Sequence, residues 1–221
     1  MQHDIAALER VKDGFSVTAF LNARRTTREF LAEFSRDIVP GIEETAATAL
    51  LEKRLRAAGA RLHWHRPLVR IGVNTTKRFA ERSAPGVRLG DPDICFVDIG
   101  PVWNGYEGDC GETIVVGDDP ERLRCARDAR AIFGLLGDAW RREALTGRRL
   151  YERAAALARA RGWVLNRDYD GHRLGDFPHH AYYRGGLSTV DARPAASLWV
   201  LEVQIVHPAG TYGAFHEDLL L

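Results

Sequence analysis

An α+β fold around one mixed sheet is predicted by three observations. Short runs of β-branched and apolar residues, bounded by Gly, Pro and Asn, mark strands at 68–74, 93–103, 113–117 and 197–206. Before and between them lie stretches with apolar residues at helical spacing, closed by breaker residues. The order of helices, hairpin, helices and strands fits two α+β halves around one sheet. With 221 residues and no linker, low-complexity segment or clear repeat, a single domain over 1–221 is predicted. Its first 40 residues form a helical lead-in, and no separate N-terminal domain is expected.

Ile5, Leu8 and Val11, then Phe20, Leu21, Phe30, Leu31 and Phe34, recur at roughly helical intervals, which predicts two helices between 4 and 34. Pro40-Gly41 breaks the pattern, and Glu43-Glu44-Thr45 opens a third helix that Ala58-Gly59 closes. Strands follow. Asn104-Gly105 is a strong turn dipeptide, so the strands on either side of it are predicted to pair as an antiparallel hairpin. Asp118-Asp119-Pro120 places an acidic cap and a first-turn proline ahead of a helix reaching about 144. Thr146-Gly147 separates it from another Ala/Arg/Leu helix over 148–162, and from 163 the chain returns to strand and loop.

Composition narrows the function. Apolar residues make up 45% and charged residues 28%, ordinary values for a folded globular protein. The net charge is +1, and the basic residues are almost all Arg, with Lys only at 12, 53 and 77. They form no run able to track a phosphate backbone, so a nucleic-acid partner is not expected. The first residues, MQHDIAALERVKDG, carry charges throughout, and no apolar stretch reaches 18 residues. Membrane association is not expected, and the reading is cytoplasmic. Cys95, Cys110 and Cys125 lack the spacing of a disulfide framework or a thiolate zinc site and read as buried, inert thiols.

Charged and imidazole side chains on apolar strands or beside glycine turns need partners, because burial is expensive for them. Asp98 lies within ICFVDI, Asp109 follows 11 residues later across the hairpin, Glu202 interrupts LWVL, and Glu217 precedes the terminal leucines. His172 and His179 sit seven apart in GHRLGDFPHH. Carboxylates buried together must take up protons or share cations, and two bridged divalent ions, about 3.5–4 Å apart in known centres, are one solution. A single histidine among oxygen ligands suits Mn, Fe(II), Co or Zn. His63 and His65 alternate around Trp64 in a pattern that metal sites also use, and exposed strand-edge histidines are the preferred reading there. Tyr106, His180 and His207 are candidate pocket residues; His216, Trp103, Tyr182 and Tyr183 fit a pocket wall or aromatic core equally well.

In combination and order, four segments resemble the pita-bread metallopeptidases, the group of methionine aminopeptidase, aminopeptidase P, prolidase and creatinase. VDIGPVWNGYEGD resembles the family's aspartate hairpin, GHRLGDFPH its Gly-His segment, VLEV its glutamate strand and HEDLLL its closing Glu-Asp strand. The resemblance implies a curved sheet flanked by helices in pseudo-two-fold halves and a centre of two divalent metal ions. It further implies that Asp98 and Asp109 hold the first ion, Asp109 and Glu217 bridge, and His172 and Glu202 complete the second. His179 would orient substrate or stabilise a tetrahedral intermediate, with His180 one position away as the alternative.

The departures bear on substrate. The group usually carries another catalytic histidine just before the aspartate hairpin, and NTTKRFAERSAPG at 74–86 has none. After His179 the chain continues His180-Ala181-Tyr182 where the family has Glu-x-Pro, and Gly111-Glu112-Thr113 stands after the second aspartate where Arg-Thr is usual. The leading expectation is a hydrolase resembling an Xaa-Pro or methionine aminopeptidase, with Glu202 shuttling a proton and His179 steadying the oxyanion, on a small peptide. A pita-bread enzyme acting on a non-peptide small molecule, oxidative if both ions are iron, is the alternative, and an inactive binding module a third reading. A homodimer is compatible with either enzyme.

Overall fold

The computed structural model describes residues 4–221, so the first three residues of the expected 1–40 segment lie outside the described residues. Helix α1 (Ile5–Leu8) is capped by the Asp4 side chain, which accepts from the Ala6 N–H. Helix α2 (Val17–Phe34) starts at Ser16, whose hydroxyl accepts from Ala19 N–H, and buries Phe20, Ala23, Thr27, Leu31 and Phe34 along one stripe. Helix α3 (Glu44–Ala57) buries Ala47, Leu51 and Leu55. Helices α4 (Pro120–Glu143) and α5 (Gly147–Ala160) complete the set, the former capped by Asp119 as expected. Among the described residues, no helix is long and apolar enough to cross a membrane.

The strands are β1 (Leu62–His63), β2 (Leu68–Ile71), β3 (Asp93–Ile99), β4 (Pro101–Trp103), β5 (Tyr106–Glu107), β6 (Cys110–Val116), β7 (Val164–Leu165), β8 (His172–Arg173), β9 (Trp199–Val206) and β10 (Gly213–Leu219). The main sheet runs β2-β3-β6-β10-β9-β7, with β8 also on β9, and β1-β4-β5 form a smaller sheet. The sheet expected as mixed is antiparallel at every named pairing.

Two expectations are refined. The strand read at 68–74 ends at Ile71, because Gly72 takes φ +52° and the Thr75 and Thr76 hydroxyls close a 3-10 turn onto the carbonyls of Gly72 and Val73. Asn104 and Gly105, both at positive φ, turn β4 into β5 rather than joining the long strands directly. The antiparallel pairing of β3 with β6 still follows, with the small β4–β5 hairpin between them in sequence.

Helices cover one face of the sheet. In β3, Cys95, Val97 and Ile99 pack with Leu31, Phe34, Leu51 and Leu55 of α2 and α3. In β9, Trp199, Leu201, Val203 and Ile205 pack with Ile132, Leu136, Leu150 and Ala154 of α4 and α5. Period-two alternation therefore turns Asp98 and Glu202 to the opposite face, where Leu68, Phe96, Tyr169 and Phe215 form a smaller apolar cluster. Both faces are buried, which is why these strands read as almost unbroken apolar runs. Asp218, the neighbour of Glu217, is gripped by Arg24 at 2.5 and 2.6 Å and also by Arg28, pinning α2 to β10 with charge-assisted bonds.

Candidate metal centre

Three of the acidic residues stand in one row across four adjacent strands. Asp98 of β3 lies opposite Gly111 of β6, Gly111 opposite Glu217 of β10, and Glu217 opposite Glu202 of β9. Directly opposed residues share a face, so the register aligns three carboxylates above the sheet. Gly111 leaves the space they share: a Cβ there would lie 3.2 Å from Glu217 Oε2 and 2.2 Å from Phe215 Cε1. Asp109, fully buried just before β6, and His172 of β8 complete the group. His172 Nε2 stands 2.9 Å from Asp109 Oδ2, 3.4 Å from Glu202 Oε1 and 3.7 Å from Glu217 Oε1.

The ion balance of this cluster calls for cations. Burial and neighbouring carboxylates push Asp98, Glu202 and Glu217 above the usual carboxylate range. Asp109 alone is held below it: burial opposes its charge, but contacts from His172 and His65 prevail. Asp98 Oδ1, both Asp109 oxygens, Glu217 Oε2 and the Nε2 atoms of His65 and His172 are all buried without a hydrogen-bond partner. His172 Nδ1 lies 2.8 Å from the Arg173 carbonyl, an acceptor, so Nδ1 carries a hydrogen and Nε2 is the atom facing the carboxylates. Burial opposes charge on the ring, yet the carboxylates lift its pKa to about 9, and a bound cation would take the place of the Nε2 proton. Lone pairs facing lone pairs are stable only around positive charge, and these residue types suit a divalent ion. Asp109, His172 and Glu217 offer donor atoms within 4.8 Å of one another, as do His65, Asp98 and Asp109.

His179 lies beside this group, 1% exposed, its ring 5.4 Å from that of His172. It is held by Glu107, which sequence reasoning missed. Glu107 is fully buried and accepts from the backbone N–H groups of His179 (2.9 Å) and Gly175 (3.2 Å), while its Oε2 lies 2.8 Å from His179 Nδ1. Burial pushes the Glu107 carboxyl up to about 8 and holds the His179 imidazole neutral, far below its ordinary range. A neutral carboxyl donates to Nδ1, which leaves the ring hydrogen on Nε2 as a donor. The only sequence signal for Glu107 is its place in the hairpin, two residues before Asp109.

The expectation for His65 is corrected. It is not exposed at a strand edge: its side chain is 7% exposed, and Nε2 lies 3.4 Å from Asp98 Oδ1 and 3.5 Å from Asp109 Oδ1. Burial opposes charge on the ring, yet the two aspartates lift its pKa to about 9. The His-Trp-His alternation was the available signal; a partly exposed strand edge and a buried ligand give the same alternation, and His63 fits the former. Trp64 stands among the imidazoles, its ring 4.3 Å from His65, 4.6 Å from His172 and 4.9 Å from His179.

The pocket candidates separate. A cavity of about 220 Å³ opens over the centre, walled by Trp64, Phe79, Tyr169 and Arg184. This is below the roughly 300–1,000 Å³ of pockets that enclose drug-sized ligands. Tyr106 is not in its wall: the hydroxyl accepts from Ser16 N–H and the ring packs on Phe15. His207 lies after β9 against Trp163 and Tyr212, and His216 faces Phe133 of α4. His180 is exposed, 5.9 Å from Trp64 between ring centroids. Trp103 donates to Thr27 and is structural, while Tyr182 bonds Asp176.

The family model of metallopeptidase family M24 matches residues 19–221. The chain belongs to metallopeptidase family M24. Solved structures of the same fold include a prolidase from Thermococcus sibiricus, 17% identical with a TM-score of 0.75, over 97% of this chain and 58% of that one. A methionine aminopeptidase from Thermotoga maritima is 16% identical with a TM-score of 0.72, over 96% of this chain and 98% of that one. A dipeptidase from Mycobacterium ulcerans is 22% identical with a TM-score of 0.69, over 97% and 57%. The chain thus spans under two thirds of the prolidase and the dipeptidase and nearly all of the methionine aminopeptidase. No curated protein sequence matches it significantly. The fold of this M24 member is the pita-bread fold, with the carboxylate row on the face of the sheet opposite the helices.

Proposed function

We propose that this M24 member is a dinuclear-metal-dependent hydrolase that cleaves an amide or peptide bond in a small substrate with a free amino terminus. The observation that carries the reading is the row Asp98, Glu217, Glu202, set against Asp109 and His172, with its buried oxygens unpartnered. Asp98 and Asp109 would hold one ion, His172 and Glu202 the other, with Asp109 and Glu217 between them. Two such ions supply a nucleophile at neutral pH and polarise the scissile carbonyl.

The remaining chemistry belongs to the chain. Glu202, whose carboxyl is pushed upward by burial, takes and returns a proton at its oxygen, a role that contributes about 10²–10⁴-fold. His179 offers its Nε2 hydrogen to the developing oxyanion, oriented by Glu107 through Nδ1. Phe79, Tyr169 and Trp64 restrict water and the size of the substrate. The absence of histidine from 74–86, and the apolar Phe79 in the cavity wall from that segment, favour a second reading, a non-peptide small molecule on the same centre.

The test is metal content by mass spectrometry on protein purified without chelator, with activity on dipeptides, Xaa-Pro peptides and methionyl peptides. Two Mn, Co or Zn per chain and clean peptide cleavage support the hydrolase. The Glu202→Gln enzyme is expected to keep its fold and lose at least about 10²-fold in kcat. Full activity in that variant would sink the mechanism, and two Fe without peptide cleavage would favour the second reading.

A further inference from the structure

We propose that His65 is a sixth protein ligand of the centre, joining the ion between Asp98 and Asp109, so that each of the two ions carries one imidazole. The inference rests on the dinuclear reading above and adds to it a ligand from outside the four motif segments.

Donor spacing is the first argument. Donors about 2.1 Å from a common ion lie roughly 3.0–3.4 Å apart for coordination angles between octahedral and tetrahedral. His65 Nε2 stands 3.4 Å from Asp98 Oδ1 and 3.5 Å from Asp109 Oδ1, at the upper limit of that range and just beyond it. None of these three atoms has a hydrogen-bond partner, and all are buried.

The tautomer is the second argument. His65 Nδ1 lies 2.8 Å from the carbonyl of the following residue, Arg66. His172 has the same arrangement with Arg173, also at 2.8 Å. In each ring the backbone carbonyl takes the Nδ1 hydrogen and leaves Nε2 as the atom aimed at the carboxylates, free to exchange its proton for a metal ion, the usual outer support of a metal-bound histidine. The two histidines approach Asp109 from opposite oxygens, His65 at Oδ1 and His172 at Oδ2.

Space is the third. Gly100, between β3 and β4, is where the His65 ring passes the backbone: a Cβ there would lie 2.2 Å from His65 Cδ2 and 2.5 Å from its Nε2. A side chain at this position would evict the ring. Trp64 packs edge-on at 4.3 Å and Phe79 at 5.6 Å, so the imidazole is held on both sides. An Asp, Asp, His donor set is also softer than two aspartates alone, which moves the first site's preference toward Co, Zn or Fe(II) over Mn or Mg.

The experiment loads metal-free protein with Co(II) and compares wild type with His65→Gln and His65→Ala, each checked for folding by circular dichroism before loading. Cobalt per chain is measured by equilibrium dialysis, and imidazole scattering per cobalt by X-ray absorption. Wild type is expected to bind two cobalt ions with one imidazole each. In both variants one of the two ions should weaken by at least about 10-fold, the loss that outer-shell changes alone produce, and imidazole scattering per chain should halve. Two ions bound with unchanged scattering, or tighter cobalt uptake in the variants because His65 acts as a competing cation, would overturn the assignment while leaving the dinuclear centre intact. A wild type that takes up no cobalt would overturn both.

Discussion

Replacing Glu107 tests how the centre's neighbouring histidine is held. Glu107 is fully buried and meets three donor or acceptor groups: Gly175 N–H at 3.2 Å, His179 N–H at 2.9 Å and His179 Nδ1 at 2.8 Å. Alanine would orphan all three, and each buried unsatisfied group costs about 1–3 kcal/mol, or about 3–9 kcal/mol together. Entry of a water would bring the figure to the lower end, about 3 kcal/mol, which for a chain of this size lowers Tm by about 6–12 °C. Glutamine behaves differently. Its oxygen can keep the shorter backbone bond to His179, its amide can donate to Nδ1 as a neutral carboxyl does, and only the longer bond from Gly175 is lost. That leaves one orphan, about 1–3 kcal/mol, and a Tm loss of about 2–12 °C that is smaller than that of alanine. Thermal unfolding of metal-free wild type, Glu107→Gln and Glu107→Ala, followed by circular dichroism, measures the order. An alanine variant within 2 °C of wild type, or a glutamine variant less stable than alanine, would refute the hydrogen-bond reasoning.

Two further outcomes follow from local geometry. Gly100→Ala forces a Cβ into the His65 ring, and such overpacking costs about 1–3 kcal/mol, so Tm should fall by about 2–12 °C with weakened cobalt uptake; unchanged melting and uptake would show that the ring has room to move. Asp119 caps α4 by accepting from Glu121 N–H at 2.9 Å and Arg122 N–H at 2.8 Å, so Asp119→Ala should cost about 1 kcal/mol at neutral pH. The Arg122 backbone N–H leads the contacts that hold the Asp119 carboxyl below its usual range. Its stabilisation is therefore present above the unfolded value of about 3.9 and lost as pH falls through the lower folded value. Urea midpoints of the two proteins should converge in strong acid, and a gap that widens there would contradict the cap.

Two residues of the candidate centre stand out in the sequence as anomalies. Asp98 and Glu202 interrupt strands that are otherwise apolar, and a charge buried in such a strand requires a partner. Asp109, His172 and Glu217 are proposed through the resemblance of their segments, in spacing and order, to the family's motifs. Local chemistry also disclosed the helices, the Asp119 cap and the Asn104-Gly105 turn, since each depends on residues within a few positions of one another.

Tertiary structure decided the rest. Alternation within a strand says which side chains share a face, but not which residue of a distant strand stands opposite. That Asp98, Gly111, Glu217 and Glu202 form one row depends on the register of β3, β6, β10 and β9, set by pairing between remote segments. His65 read as an edge histidine because His-Trp-His has the same pattern exposed or buried. Only the approach of its segment to Gly100, where a missing side chain leaves space, turns the imidazole onto the aspartates. Glu107 and His179 meet across 72 residues of chain, a contact that no local pattern encodes.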